Sequence, residues 1–400
     1  VPSLHRLLRP AFLLALVAGL RAAEPALPAV IDSALATSAQ QYEWMLAHLP
    51  ADPAKPLPRT FEHDKLVTIP SADWTSGFFP GSLWYLYEAT GEAKWRASAE
   101  KFTAYLEPEQ HNTGTHDIGF MLYCSYGNGL RLTGNAAYKS VLLNGAKSLS
   151  TRFNPTVGAI KSWDHGVGKF TYPVIIDNMM NLELMFWAAR EGKVGHYRDL
   201  SIKHADTTIA NHFRADHSTF HVIDYDPQTG QVIKKVTHQG TSDDSAWARG
   251  QAWGLYGYTV MYRETKDPRY LAQAQQIAAF VMNHPRLPAD KVPYWDFDAP
   301  TIPDAPRDSS AAAIICSALL ELRGYVDAAS AASYTAFAEA QLRSLASPAY
   351  LAEPGTNGGF LLRHATGHMP KKSEIDVPIN YGDYYFLEAL LRARNGSKAI

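Results

Sequence analysis

Six stretches of this chain are apolar on nearly every side of a helix, and no other feature of its 400 residues limits the possible folds so tightly. Residues 74–90, 116–133, 175–192, 245–265, 307–325 and 380–395 each have a polar or acidic entry at or beside their start and continue as apolar runs rich in small side chains. A surface helix needs only one apolar stripe, so helices apolar all round must be covered on several sides. Between them, segments near 29–48, 93–106, 135–150, 195–212, 268–283 and 329–345 mix charge with apolar residues, as a half-exposed outer layer does. Gly or Asp-Pro stops several helices, and an aromatic residue (Trp95, Tyr138, Tyr197 or Tyr270) three to five positions later anchors the next.

Six inner and six outer helices in alternation predict an all-α fold, an (α/α)6 barrel in which each helical hairpin buries its apolar face against its neighbours. An open solenoid is the alternative, but its last repeat would be polar, and residues 384–391 are as apolar as the middle segments. At roughly 150 residues per domain, length alone allows two or three domains. The helix count turns that into one catalytic domain over residues 24–400. The run 219–235 reads as a β-hairpin excursion from it.

Residues 1–23 have the layout of a secretory signal peptide: His5, Arg6 and Arg9 without an acid, an apolar run over 11–20, then Ala22 and Ala23. Ten apolar residues are too few for a transmembrane helix, which takes about 20. The expectation is a periplasmic or secreted protein with no membrane association after signal removal. Cys124 and Cys316 would be permitted to pair there, yet they fall on helices at opposite sides of the barrel and are expected to be free buried thiols.

Thirty-seven basic against 39 acidic residues give a net charge of −2, which supplies no broad positive field for nucleic acid. An anionic ligand therefore needs local cations. Nine Trp and 21 Tyr outnumber 16 Phe, so most rings carry a polar handle suited to the apolar faces and hydroxyl edges of sugars, or to helix seams.

In such a barrel the inner-helix starts converge at one end, so their polar residues share a pocket. Asp73, Asp243 and Asp308 read as ordinary helix caps. Asp177 differs, because Val174, Ile175 and Ile176 precede it and Met179 and Met180 follow, a setting that keeps a carboxyl protonated near neutrality. That is what a general acid requires. Asp117 is a second candidate, since two carboxylates in one pocket raise each other's proton affinity. Around the start of the 245–265 helix, Trp247, Arg249 and Trp253 offer rings and a guanidinium to clamp an anionic sugar, although Arg249 is equally placed to pair with Asp244. Trp74 and Trp163 are further walls or core.

The motifs Asp-Trp-Thr-Ser-Gly-Phe-Phe-Pro-Gly (73–81), His-Asp-Ile-Gly-Phe (116–120), Ile-Ile-Asp-Asn-Met-Met-Asn-Leu (175–182), Ser-Thr-Phe-His-Val (218–222), Ser-Ala-Trp-Ala-Arg-Gly-Gln-Ala-Trp-Gly (245–254) and Tyr-Gly-Asp-Tyr-Tyr-Phe-Leu-Glu-Ala-Leu (381–390) together resemble the unsaturated glucuronyl hydrolases, glycoside hydrolase family 88. The resemblance implies an (α/α)6 barrel that removes a 4,5-unsaturated uronic acid from the non-reducing end of lyase-generated oligosaccharides. It implies that Asp177 protonates C4 of the enol ether and activates water for C5, with Asp117 in support. By the same resemblance His221, Gln239, Arg249 and Trp253 line the uronate subsite, and Trp74, Trp163 and Trp247 form stacking walls. No metal or organic cofactor is called for; His364 and His368 flank a glycine in a loop without an acidic third ligand beside them. Lys371, Lys372 and Ser373 offer cations and a hydroxyl for a sulfate on the second sugar. Competing readings are an unsaturated rhamnogalacturonyl-type hydrolase, a non-enzymatic carbohydrate-binding toroid, and an inverting glycosidase or lyase on the same fold.

Overall fold

A computed structural model describes residues 25–164 and 168–396; the expected signal segment lies outside the described residues. The outer helices are α1 (Leu27–His48), α3 (Ala93–Ala104), α5 (Ala136–Ser150), α7 (His196–His212), α9 (Pro268–Asn283) and α11 (Ala328–Leu345). Between them run α2 (Phe78–Thr90), α4 (Asn128–Thr133), α6 (Leu182–Glu191), α8 (Ala248–Thr265), α10 (Ser309–Leu322) and α12 (Asn380–Asn395). The inner helices touch in a ring, α2 to the α4 segment to α6 to α8 to α10 to α12, and α12 returns to α2. Closure, not an open solenoid, is the outcome. The inner helices α8, α10 and α12 are buried along most of their length, α10 without exception from Ser309 to Leu322, which is why its sequence needs no polar face.

Two inner helices start irregularly. A π-helical turn, Gly119–Gly127, leads into α4, and a 3-10 turn, Ile176–Asn181, leads into α6. Asn181 ties them together by accepting the Phe120 N–H at 3.0 Å. Residue 77 must be glycine, because a Cβ there would lie 2.2 Å from the Phe120 carbonyl oxygen and 2.3 Å from that of Met121. So α2 begins at Phe78 rather than at residue 74, and the turn before it packs directly on the turn that carries Asp117.

Four small antiparallel sheets sit on the barrel. Strands β1 (Leu57–Glu62) and β2 (Lys65–Ile69) form a hairpin, as do β3 (Phe153–Asn154) and β4 (Ala159–Ile160). The expected 219–235 hairpin is present as β6 (Val222–Tyr225) and β7 (Val232–Val236), and β5 (Pro173–Ile175) extends it to three strands in the order β5-β6-β7. Pairing of Ile175 with Val222 places Asp177 and His221 just past the same end of the β5–β6 ladder. The last hairpin joins β8 (Ala365–His368) to β9 (Ser373–Val377).

Both cysteines are buried and free. Asp308 caps α10, accepting from the Ser310 and Ala311 N–H groups. Asp243 caps no helix; its carboxylate accepts the Thr237 N–H at 2.9 Å, and α8 starts at Trp247 without a side-chain cap. Asp73 serves the turn before α2, accepting the N–H and hydroxyl of Thr75 at 2.9 and 2.8 Å.

Candidate active site

At the barrel end where the inner helices begin lies a cavity of about 450 Å³, lined by Trp74, Asp117, Trp163, Asp177 and Gln239 among others. Five of the nine residues expected from the sequence therefore share one pocket. A further part of its wall comes from the two late strands and their turn, with Gly367, His368, Lys371, Ser373 and Glu374, and from Arg59 and Tyr381.

The two carboxyls are held by different elements and both resist ionisation. Burial pushes the Asp177 carboxyl up from 3.8 to about 7, against a smaller opposing pull from the Arg249 charge and the Trp253 indole. Asp117 is pushed up to about 8, chiefly by burial; the Thr115 hydroxyl, 3.0 Å away, pulls it down, and the charges of Asp177 and Asp73 push it further up. His116 donates Nδ1–H to the Ser162 carbonyl at 2.6 Å, which in the neutral ring leaves Nε2 as an acceptor 3.2 Å from Asp117 Oδ1. That geometry suits a protonated Asp117.

His221 has a fixed tautomer. Its Nδ1 accepts the backbone N–H groups of His238 and Gln239, both at 3.2 Å, so the proton sits on Nε2, 3.7 Å from Asp177 Oδ2. Burial and the nearby His238 and Arg249 hold its proton affinity well below that of a free imidazole. It is a neutral hydrogen-bond donor facing the acid. The Trp247 ring packs against it at a tilt of 31°, with centroids 4.4 Å apart.

This catalytic geometry has counterparts among known proteins. No family model matches the chain. An unsaturated glucuronyl hydrolase of Formosa agariphila is 52% identical over 328 residues, covering 82% of this chain and 81% of that one. The chain belongs to the unsaturated glucuronyl hydrolase family. An unsaturated chondroitin disaccharide hydrolase of Streptococcus pneumoniae is 34% identical, over 84% of this chain and 85% of its own. The crystal structure of an unsaturated glucuronyl hydrolase specific for heparin superposes with a TM-score of 0.88 at 47% identity, covering 93% of this chain and all of the other.

In this chain Trp247, Arg249 and Trp253 depart from the sequence expectation of an open clamp. They are 2%, 1% and 0% exposed and lie outside the cavity lining. Arg249 sits 4.5 Å from the Trp247 ring, so the space between ring and guanidinium holds no sugar. Its partner is Asp308 at 2.7 Å, not Asp244. His221, 3% exposed, likewise stands behind the lining with only its Nε2 edge toward Asp177. Gln239 lines the cavity, with its side-chain nitrogen donating to the Gly367 carbonyl at 2.8 Å.

His364 and His368 diverge: His364 pairs with Asp376 at 2.6 Å on the exposed side, and His368 joins the cavity wall. Arg59 was not expected. It reaches from β1 to Asp73 at 2.7 Å and to both carboxylate oxygens of Glu374 at 2.5 and 2.9 Å, closing the cavity rim between the first and last hairpins. Tyr381, stacked on Trp74 at 5.3 Å, was also missed, though it stands in the 381–390 motif.

Proposed function

We propose that the protein removes 4,5-unsaturated uronic acid from the non-reducing end of lyase-generated oligosaccharides by hydrating the C4=C5 enol ether. Protonated Asp177 gives its proton to C4, and positive charge develops at C5 and the ring oxygen. The resulting carboxylate takes a proton from water as the water oxygen bonds to C5, restoring the acid. The hemiketal so formed opens and releases the neighbouring sugar. Asp117 supports Asp177 and binds sugar hydroxyls, Gln239 orients the uronate, His221 acts on Asp177 from behind the lining, and Trp74 and Trp163 are stacking walls. The observation that carries this reading is a carboxyl held at about 7 by burial beside a neutral imidazole donor, opening on a sugar-sized cavity. A purely sugar-binding toroid has no need of such an acid.

The heparin-specific relative makes heparin-derived unsaturated disaccharides the first substrates to try, with chondroitin-derived ones second. Turnover removes the ultraviolet absorbance of the conjugated double bond. Persistent absorbance with heparin, chondroitin, hyaluronan, ulvan and gellan fragments, together with cleavage of a saturated glycoside, would overturn the hydration reading. We also infer export to the periplasm or medium, supported by the layout of residues 1–23; fractionation of expressing cells should find the processed chain outside the cytoplasm, and retention there at full length would exclude it.

A further inference from the structure

Arg249 and Asp308 form an ion pair at 2.7 Å with side-chain exposures of 1% and 0%. Enclosure of this degree is costly unless each charge has further partners. Arg249 has them in one place: Nη1 also donates to the Thr366 carbonyl and Nη2 to the Gly367 carbonyl, both at 2.6 Å. Those carbonyls belong to β8, whose Gly367 and His368 line the cavity. Gly367 is also fixed from its other side, where a Cβ would meet the Glu374 carboxylate at 2.5 Å. One guanidinium therefore sets where the late wall of the pocket stands.

Asp308 in turn is immobile. Its Oδ1 accepts the N–H groups of Ser310 and Ala311, at 3.1 and 3.3 Å, and the Ser310 hydroxyl, while Oδ2 faces Arg249. The carboxylate is thus both the cap of α10 and the counter-charge of Arg249. We infer that Asp308 is a positioning residue of the active site: it fixes Arg249 under the β8 wall and balances the one cation buried among the groups that face Asp177. The inference rests on the reading of Asp177 as proton donor.

The charged and titratable groups facing Asp177 are Asp117 from just before the π-helical turn, His221 from the strand end and Arg249 from α8. Those facing Arg249 are Asp308 from α10, Tyr381 from α12, His368 from β8 and His221. Among the groups facing Asp177, Arg249 alone favours its anion by charge. Removing the Asp308 charge while the two β8 carbonyls keep the guanidinium in place should therefore strengthen that pull and weaken the acid's hold on its proton.

Asp308→Asn and Asp308→Ser test this in the full chain, because both residues are strong helix caps and neither carries charge. The alkaline limb of the kcat profile should move to lower pH in both variants, by half a unit or more, so that kcat at pH 8 falls at least about threefold while kcat at pH 5.5 stays within about twofold. Ser310→Ala removes a cap contact from the same carboxylate and leaves its charge; its limb should not move. The positioning role is overturned if the limb stays or moves upward in both Asp308 variants, if Ser310→Ala moves it equally, or if neither variant folds, which would make the carboxylate a requirement of the fold. Wild-type protein inactive on every unsaturated disaccharide would instead overturn the functional reading, so the two failures are distinct.

Discussion

Replacing Asp177 by Asn should abolish turnover and at the same time stabilise the protein, increasingly so as the pH rises. In the folded chain the carboxyl is held at about 7 against 3.8 in the unfolded chain. Below pH 3.8 both states carry the proton and burial costs nothing electrostatically. As the pH rises toward 7 the unfolded chain releases the proton and the folded chain keeps it, so stability falls by about 1.4 kcal/mol per pH unit over the interval. The whole window amounts to about 4 kcal/mol of stability, present below the lower value and lost above the upper one. An asparagine has no such proton to lose. With an unfolding entropy of about 2 cal/mol/K per residue, the variant should melt about 3–5 °C above wild type at pH 8 and within about 1 °C of it at pH 4. The same displacement supplies the catalyst: at pH 7 about half of the folded molecules carry the acid, against about one in 1,600 for an ordinary aspartate. Calorimetric melts of both proteins at a series of pH values read the effect directly. A difference in melting temperature that does not grow with pH, or a variant less stable than wild type at pH 8, would refute the reasoning, since it would mean that Asp177 is ionised and well solvated in the fold.

Further outcomes are expected elsewhere in the molecule. Gly77→Ala drives a methyl into the backbone carbonyls of Phe120 and Met121, which cannot turn aside, and should cost about 3 kcal/mol in denaturant unfolding with a loss of kcat; a cost below about 1 kcal/mol would show that the contact relaxes freely. Trp163→Ala strips a ring from the cavity wall, next to His238 at 5.3 Å, and should raise KM about three- to tenfold with kcat nearly unchanged. An unaltered KM would take Trp163 out of the substrate subsite. Asp117→Asn should lower kcat by about 10²-fold or more, read as initial rates at pH 6, and activity near wild type would deny it a part in proton transfer.

The inner helices were legible because burial on most sides leaves a plain mark, residues such as those of α10 having no polar face to show, and the outer ones by their mix of charge with apolar residues. Asp177 was legible for the same reason, as a charge set among Val, Ile and Met. The hairpins that complete the pocket left weaker marks. The β1–β2 turn places His63 and Asp64 at positive φ, 50° and 59°, a conformation usually announced by Asn-Gly, and the register slips between Pro58 and Thr60. Arg59 left no local mark, since its two carboxylate partners lie 14 and 315 residues away. Arg249 was found but misjudged: sequence shows that a guanidinium is present and conceals that two carbonyls 117 and 118 residues downstream enclose it. Contacts of that range are a property of ring closure, and local patterning carries no trace of them.

Closure of the ring also orders events in time. The candidate acids lie in the middle of the chain, but the pocket around them takes Arg59 and Trp74 from near its start and Gly367 to Tyr381 from near its end, and α12 must dock on α2 before the barrel exists. A growing chain therefore has no enclosed acid until α12 is available. Asp117 and Asp177 stay solvated and ionised up to that point, and the docking of α12 completes the enclosure that converts them into acids.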